Sequence, residues 1–164
     1  MELTFDIRGN LFPHTRTTIT LDEFEEMFVK RFPENSTRHK HFENYKRYIR
    51  DFQEQVTPNF VQWVNGSFVT KVINPGDIDF VGLLDFKIAL EKGKIIEAYF
   101  KERGAEKHYE LDAYIVKLYP ENHASAFFTK SDLMYWNDWF SNTKPGRTNK
   151  RLPKGYVELQ FSEK

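Results

Sequence analysis

Two aspartates separated by one residue follow a glycine–serine pair near the middle of this 164-residue chain. The pair is Gly66-Ser67, and nine residues separate it from Asp77-Ile78-Asp79. Alternate side chains of a strand share one face, so the two carboxylates are predicted to point the same way, about 7 Å apart. Neighbouring carboxylates repel one another unless a cation lies between them, and Mg²⁺ prefers oxygen ligands. The spacing therefore predicts a site for divalent cations.

A third carboxylate is expected from a later strand. Asp112 interrupts an apolar stretch over residues 111–116, where a charged group is costly to bury unless it is paired or bound to metal. Glu110 lies two residues earlier, could share the same strand face and stays an alternative. Paired divalent ions lie about 3.5–4 Å apart and are bridged by carboxylates. The predicted metal ligands are Asp77, Asp79 and Asp112.

A phosphate-binding segment is predicted beside these carboxylates. Gly66 would allow the backbone to approach a ligand closely, and backbone N–H groups with the Ser67 hydroxyl could hold phosphate oxygens. Residues 144–154 carry five basic side chains and no acid, which is most simply a solvated loop. The alternative is phosphate contact, for which Lys154 is the first candidate because Gly155 would let the loop approach the site.

The hydrophobic pattern predicts the strands that position these residues. An apolar run over 60–64 leads directly into the Gly-Ser pair, and a second run begins at Asp77. Both runs have the length and composition of buried strands. Strands are predicted over 3–7, 60–64, 77–83, 110–119 and 156–161.

Helices are predicted from capping signals and from apolar spacing. Thr20 and Glu23 have the spacing of a capping box, so a short helix should begin there and end at Pro33. Residues 37–55 carry an apolar stripe at three- and four-residue spacing, and most of the basic and histidine residues between them are predicted to face solvent, with polyanion binding as the alternative. Residues 88–103 should be partly helical with an interruption near Gly93, and Ser131 should cap a helix over 132–140. The stripe is Phe42, Tyr45, Ile49 and Phe52, and the solvent-facing set is His39, Lys40, His41, Lys46, Arg47 and Arg50.

Composition limits the classes of function. Lysine plus arginine and aspartate plus glutamate both number 24, so no net charge steers the protein toward nucleic acid or membrane. The absence of cysteine excludes disulfides, thiolate metal sites and cysteine nucleophiles. No apolar run reaches the length of a membrane span, and the first residues do not resemble a secretory signal. A soluble cytoplasmic protein without a membrane partner is expected.

The aromatic residues are assigned mainly to packing. Trp136 and Trp139 are expected in the core or at its rim rather than as platforms for nucleobases. Base stacking is left as an alternative for Tyr114 and Tyr119, which lie near the expected carboxylate site on the strand over 110–119.

The Gly-Ser pair, the short interval, Asp-x-Asp and the later acidic residue together resemble the nucleotidyltransferase superfamily of DNA polymerase beta. The stretches 65–70 and 75–80 resemble more closely a group of small, stand-alone bacterial nucleotidyltransferase-like proteins without assigned function. Weaker similarity to that group is found over 112–121 and 154–159. The resemblance covers roughly residues 60 to 160.

This resemblance implies an α+β fold, a mixed β-sheet with helices packed on it, formed as a single domain over 1–164 with its motif core at about 60–120. It implies two Mg²⁺ ions and a nucleoside triphosphate such as ATP. Asp77 and Asp79 would bind both ions, whereas Asp112 would bind the catalytic ion and help to deprotonate the acceptor hydroxyl. Gly66, Ser67 and Lys154 would hold the nucleotide.

The implied reaction moves a nucleoside monophosphate to an RNA end, such as that of tRNA, or to a protein hydroxyl. Some relatives act as toxins with a cognate antitoxin, so a toxin–antitoxin or defence role with an operon partner is implied as well. The chain shows no second substrate domain. A non-catalytic nucleotide-binding or partner-docking module with the same fold is therefore the alternative.

Overall fold

A mixed five-stranded sheet organises residues 2–163, the part of the chain that the computed structural model describes. In spatial order the sheet is β3 (Arg16–Thr18), β7 (Tyr156–Phe161), β4 (Phe60–Asn65), β5 (Asp79–Asp85) and β6 (Asp112–Leu118). The outer pairs β3–β7 and β5–β6 are parallel, whereas β4 is antiparallel to both of its neighbours. A separate antiparallel pair, β1 (Thr4–Phe5) and β2 (Leu11–Phe12), lies outside the sheet.

Six α-helices accompany the sheet within residues 2–163, so the fold is of the mixed α+β type. The helices are α1 (Leu21–Glu25), α2 (Arg38–Gln55), α3 (Phe86–Glu91), α4 (Gly93–Ile95), α5 (Glu102–Tyr109) and α6 (Ala126–Phe140). α1 continues into a π-helical turn over Glu26–Lys30, α4 continues into one over Ile96–Phe100, and a 3₁₀ turn spans Ser67–Val69. None of the helices within 2–163 is long and apolar enough to cross a membrane.

The two faces of the sheet are covered by different helices. On one face Phe80 packs against Tyr45 and Tyr48 of α2, with ring centroids 5.4 and 5.0 Å apart. On the other face Tyr156 packs against Phe140 of α6 at 5.5 Å. Residue 79 and residue 80 of β5 therefore point into different layers, because successive side chains alternate across a strand. Asp79 faces the layer that contains α6.

The predicted capping box and the apolar stripe of α2 are both confirmed. Thr20 Oγ accepts a hydrogen bond from the Glu23 amide, and the Glu23 carboxylate accepts one from the Thr20 amide. All four stripe residues of α2 are buried. The solvent-facing prediction is wrong for His41, which is buried with its Nε2 3.1 Å from the Pro75 carbonyl oxygen.

Three predicted boundaries are corrected. β5 begins at Asp79, so Asp77 precedes the strand instead of belonging to it. β6 begins at Asp112, and Glu110 ends α5 in a left-handed conformation with φ 57°. α6 begins at Ala126, so Ser131 is an exposed residue inside the helix and does not cap it. The sequence does not reveal the earlier start of α6, because Ala126, Phe127 and Phe128 carry no capping signal and resemble an apolar loop.

Candidate metal centre

Four segments of the chain meet at one edge of the sheet. β4 ends there at Asn65, and β5 and β6 begin there at Asp79 and Asp112, which are directly opposite one another in the parallel ladder. β7 is antiparallel to β4, so its approach through Lys154 reaches the same edge. Residues that are up to about ninety positions apart in the sequence are therefore brought together by strand pairing alone.

The three predicted carboxylates converge at this edge. Asp77, Asp79 and Asp112 each offer an oxygen, and these oxygens all lie within 4.8 Å of one another. The predicted 7 Å separation along one strand does not apply, because Asp77 lies in the irregular segment before β5. Glu110, the alternative third ligand, instead forms an exposed ion pair with Lys40 at 3.1 Å. The triad could hold a metal ion, and its all-oxygen donor set suits a hard cation.

The electrostatics of the triad also favour a bound cation. Burial, together with a hydrogen bond with Asp112 and the charges of Asp77 and Asp112, raises the pKa of Asp79 to about 8. The pKa of Asp77 is raised as well, mainly by burial. Three half-buried carboxylates this close cannot all be ionised at low cost without a positive charge among them. A divalent ion would supply that charge.

Gly66 fits tightly under the triad. A Cβ atom at this position would lie 2.0 Å from Asp79 Oδ2, and the residue has φ +79°, which favours glycine. Ser67 opens the 3₁₀ turn behind it, where the first N–H groups have no acceptor within the turn. Gly66 lines the cleft above the triad, whereas Ser67, the other predicted phosphate-binding residue, does not line it. The close approach of the Asp79 carboxylate therefore requires a residue without a Cβ atom at position 66.

A cleft of about 410 Å³ opens above Asp79 and Asp112 on the α6 side. The half-buried Lys154 lines it together with the exposed Lys144. Burial lowers the pKa of Lys154 to about 8, although the charge of Asp79 opposes this change. Gly155 has a role different from the predicted one. A Cβ there would lie 2.2 Å from the Pro13 carbonyl oxygen, so the glycine permits close packing against the segment before β3.

A second cleft, about 720 Å³, begins on the other side of Asp112. It shares Asp112 and Tyr114 with the first cleft, and Asp77 lines it. Its remaining wall comes largely from α5 and is rich in carboxylates. The charged residues of this wall are Glu102, Arg103, Glu106 and Glu110.

Arg38 is the main residue of this region that the sequence did not reveal. It is fully buried, and its guanidinium donates six hydrogen bonds of 2.5–3.3 Å to backbone carbonyls. Burial lowers its pKa to about 10, so it stays charged at neutral pH. Within residues 2–163 no carboxylate lies within ion-pair distance of it. The acceptors are Phe28, Ser67, Phe68, Thr70 and Val72.

Four of these five acceptors belong to the segment that joins the Gly-Ser pair to Asp77. The start of α2 holds the rest of that segment, since Ser36 Oγ donates to the Ile73 carbonyl at 2.5 Å and Thr37 Oγ1 donates to the Pro75 carbonyl at 2.8 Å. Asn74 accepts a hydrogen bond from the Thr37 amide. The connection from Gly66 to Asp77 is therefore fixed along its length by one helix terminus.

The aromatic residues near the triad differ from the sequence prediction in part. Tyr114 lines both clefts, as its position two residues after Asp112 suggested. Tyr119 instead packs between Phe86 and His123, with centroids 4.8 Å from each, and lines neither cleft. Trp139, expected at the rim, does lie there and borders the first cleft.

Comparison with known proteins places the chain in a family but gives no activity. No curated protein and no solved structure has significant similarity to it. A family of unknown function, DUF6932, matches residues 3–160, which include every segment that forms the triad and both clefts. The chain therefore belongs to the DUF6932 family.

Proposed function

We propose that this protein is a Mg²⁺-dependent nucleotidyltransferase that moves a nucleoside monophosphate from a nucleoside triphosphate to a hydroxyl group. The observation that carries the proposal is the convergence of Asp77, Asp79 and Asp112 within 4.8 Å at the sheet edge where Gly66 and Lys154 also lie. A mixed sheet with Asp-x-Asp at the start of one strand and a third aspartate opposite it agrees with the resemblance to polymerase-beta-like nucleotidyltransferases.

The residues of the site would have three roles: binding the ions, contacting the phosphates and activating the acceptor. Asp77 and Asp79 would hold two Mg²⁺ ions with Asp112, and the ions would neutralise charge on the phosphates. Lys154 and Lys144 would contact phosphate oxygens from the opposite side of the cleft, beside the backbone at Gly66. The acceptor oxygen would attack the α-phosphorus, its proton would pass to Asp112, and the bond to the β-phosphate would break to release pyrophosphate.

The second cleft helps to choose between the two acceptor classes. An acceptor hydroxyl must reach Asp112 from the side that the triphosphate leaves open, and that side is the cleft lined by Asp77 and α5. Its wall carries the carboxylates of Glu102, Glu106 and Glu110 with one arginine, so it would repel an RNA backbone. A hydroxyl-bearing protein segment with basic neighbours suits this wall better.

Transfer is tested with α-³²P-labelled triphosphates, Mg²⁺ and two acceptor pools, total protein and total tRNA from a bacterial extract. Label should appear in protein, and Asp77→Asn and Asp112→Asn should each abolish it. Asp132→Asn, at an exposed residue outside both clefts, is the matched control and should keep activity. Labelling that survives both triad substitutions would refute the assignment of this site.

Binding of triphosphate without transfer to either pool would instead favour the alternative, a nucleotide-binding module without turnover. Labelling of tRNA in preference to protein would retain the reaction and overturn the acceptor argument. Detection of released pyrophosphate distinguishes transfer to either pool from metal-dependent hydrolysis of a phosphodiester by the same carboxylates.

A further inference from the structure

Two aromatic side chains of α6 are exposed to solvent at the mouth of the triad cleft. Tyr135 is 60% exposed and Trp139 is 39% exposed, although tyrosine and tryptophan are among the side chains that gain most from burial. They are four residues apart, so they neighbour one another on one face of the helix. Both line the cleft that has Asp79 and Asp112 on its floor.

Anchoring of the helix does not require these two side chains. α6 is held to the sheet by Trp136, whose ring lies 4.9 Å from Tyr114 and 5.4 Å from Phe140. Phe140 in turn packs on Tyr156 of β7. Within residues 2–163 the ring of Tyr135 contacts one other ring, that of Trp136, edge-on with the centroids 5.1 Å apart. Trp139 has the Arg151 guanidinium 5.9 Å from its ring centre. Both rings therefore keep apolar surface toward the cleft.

The cleft thus has two chemically different ends. Asp79, Asp112, Lys154 and Lys144 make one end ionic, and the α6 rings make the other end flat and apolar. A purely anionic ligand such as inorganic triphosphate would leave the rings in water, and a purely apolar ligand would leave the charged groups without partners. A polyphosphate that carries a planar ring uses both ends, and the cleft volume of about 410 Å³ lies in the range of small-molecule sites.

We propose that Tyr135 and Trp139 form the base-binding wall of the site and that this wall favours purine over pyrimidine triphosphates. The proposal rests on the proposed function, because it takes the carboxylate end as the place of the phosphates. Stacking depends on the area of the π-face more than on the edge groups of the base. The larger purine ring covers more of the two side chains. Adenine and guanine should therefore bind with similar affinity, and cytosine and uracil more weakly.

The test compares ligands that share the phosphates and differ in the base. Binding of ATP, GTP, CTP, UTP and inorganic triphosphate is measured by calorimetry with Mg²⁺, using α,β-methylene triphosphates to prevent turnover. Trp139→Ala and Tyr135→Ala should each weaken purine binding roughly 5- to 150-fold, the loss that corresponds to the usual contribution of base–aromatic stacking. Trp139→Phe keeps a ring and should retain most of the affinity. None of the three should change the binding of inorganic triphosphate.

Phe127→Ala is the matched control, because Phe127 is a 73% exposed aromatic residue of the same helix that does not line the cleft. Purine binding to this variant should equal that of the wild type. Equal affinity for nucleotides and inorganic triphosphate, or an equal loss for both in Trp139→Ala, would overturn the base-binding wall and leave the proposed reaction standing. A base-dependent affinity in a protein that labels no acceptor would support the wall and remove the reaction. Failure of every phosphate ligand to bind would overturn both.

Discussion

Replacing the charge of Asp79 should stabilise the metal-free protein while it removes the response to metal. The pKa of Asp79 in the folded protein is raised to about 8 from an ordinary value of 3.8. Between these values the folded protein retains a proton that the unfolded chain has released, so the stability of the metal-free protein falls as pH rises from about 4 to 8. Asp79→Asn removes this titrating group and should remove most of that fall.

The expected size follows from the proton linkage. A single proton changes the free energy of unfolding by at most about 1.4 kcal/mol per pH unit. Because Asp79 is only half-buried, solvent screening reduces this, and we expect about 1–2 kcal/mol between pH 6 and pH 8. For a chain of this length that is roughly 2–8 °C in Tm. Lys154 does not contribute to the change in stability between pH 6 and 8. Its pKa is lowered from 10.5 to about 8, so its titration raises the free energy of unfolding only between about pH 8 and 10.5.

The assay is thermal unfolding at pH 6, 7 and 8, with EDTA and with MgCl₂ or MnCl₂. Metal must displace the Asp79 proton, so its apparent affinity for the wild type should rise on the order of tenfold per pH unit below 8. Asp79→Asn should show a higher Tm than the wild type in EDTA at pH 8 and little shift with either ion. Asp132→Asn should behave as the wild type. A wild-type Tm in EDTA that is flat or rising from pH 6 to 8, or an undiminished metal shift in Asp79→Asn, would refute this reasoning.

Three further substitutions probe how the fold holds the site. Arg38→Met leaves buried carbonyls without a donor and should cost about 3–5 kcal/mol in chemical denaturation, whereas Arg50→Met, at an exposed residue of the same helix, should cost under about 0.5 kcal/mol. Gly66→Ala would place a methyl group 2.0 Å from Asp79 Oδ2, so it should abolish the metal-induced rise in Tm, while Gly93→Ala, where a Cβ meets nothing within 4 Å, should retain it. Thr20→Ala removes one half of the capping box and should lower the free energy of unfolding by about 1 kcal/mol, measured against the wild type in urea.

The three carboxylates that converge at the sheet edge could be predicted because their pattern is local. Asp77 and Asp79 are adjacent in sequence to a strong apolar run, and Asp112 interrupts another, so a charge in a buried context marked each of them. The strands that pair to form the centre of the sheet were predicted for the same reason. Their order in the sheet and the parallel pairing of β5 with β6 depend on long-range contacts that no single segment encodes.

Arg38 could not be predicted because nothing in its own segment distinguishes it from the neighbouring basic residues. It stands next to His39 and Lys40 at the start of a polar helix, where exposure is the common outcome. Its burial depends on carbonyls from the segments 67–72 and 28, which fold against it from elsewhere in the chain. The same reason explains the error at His41, one turn further along.

The buried cation and the carboxylate cluster make most physical sense together. Arg38 binds the part of the connection that follows Gly66, and the mutually repelling carboxylates lie at its Asp77 end. A connection that was free to move would let Asp77 swing away from Asp79 and Asp112, which would relieve the charge repulsion that adds to burial in raising the pKa of Asp77 and Asp79. Five of the six hydrogen bonds from the Arg38 guanidinium go to residues 67–72 of this connection and oppose that relaxation. Because the carboxylate cluster lowers the stability of the metal-free protein while Arg38 holds the connection in place, their joint presence supports a site that could hold a cation.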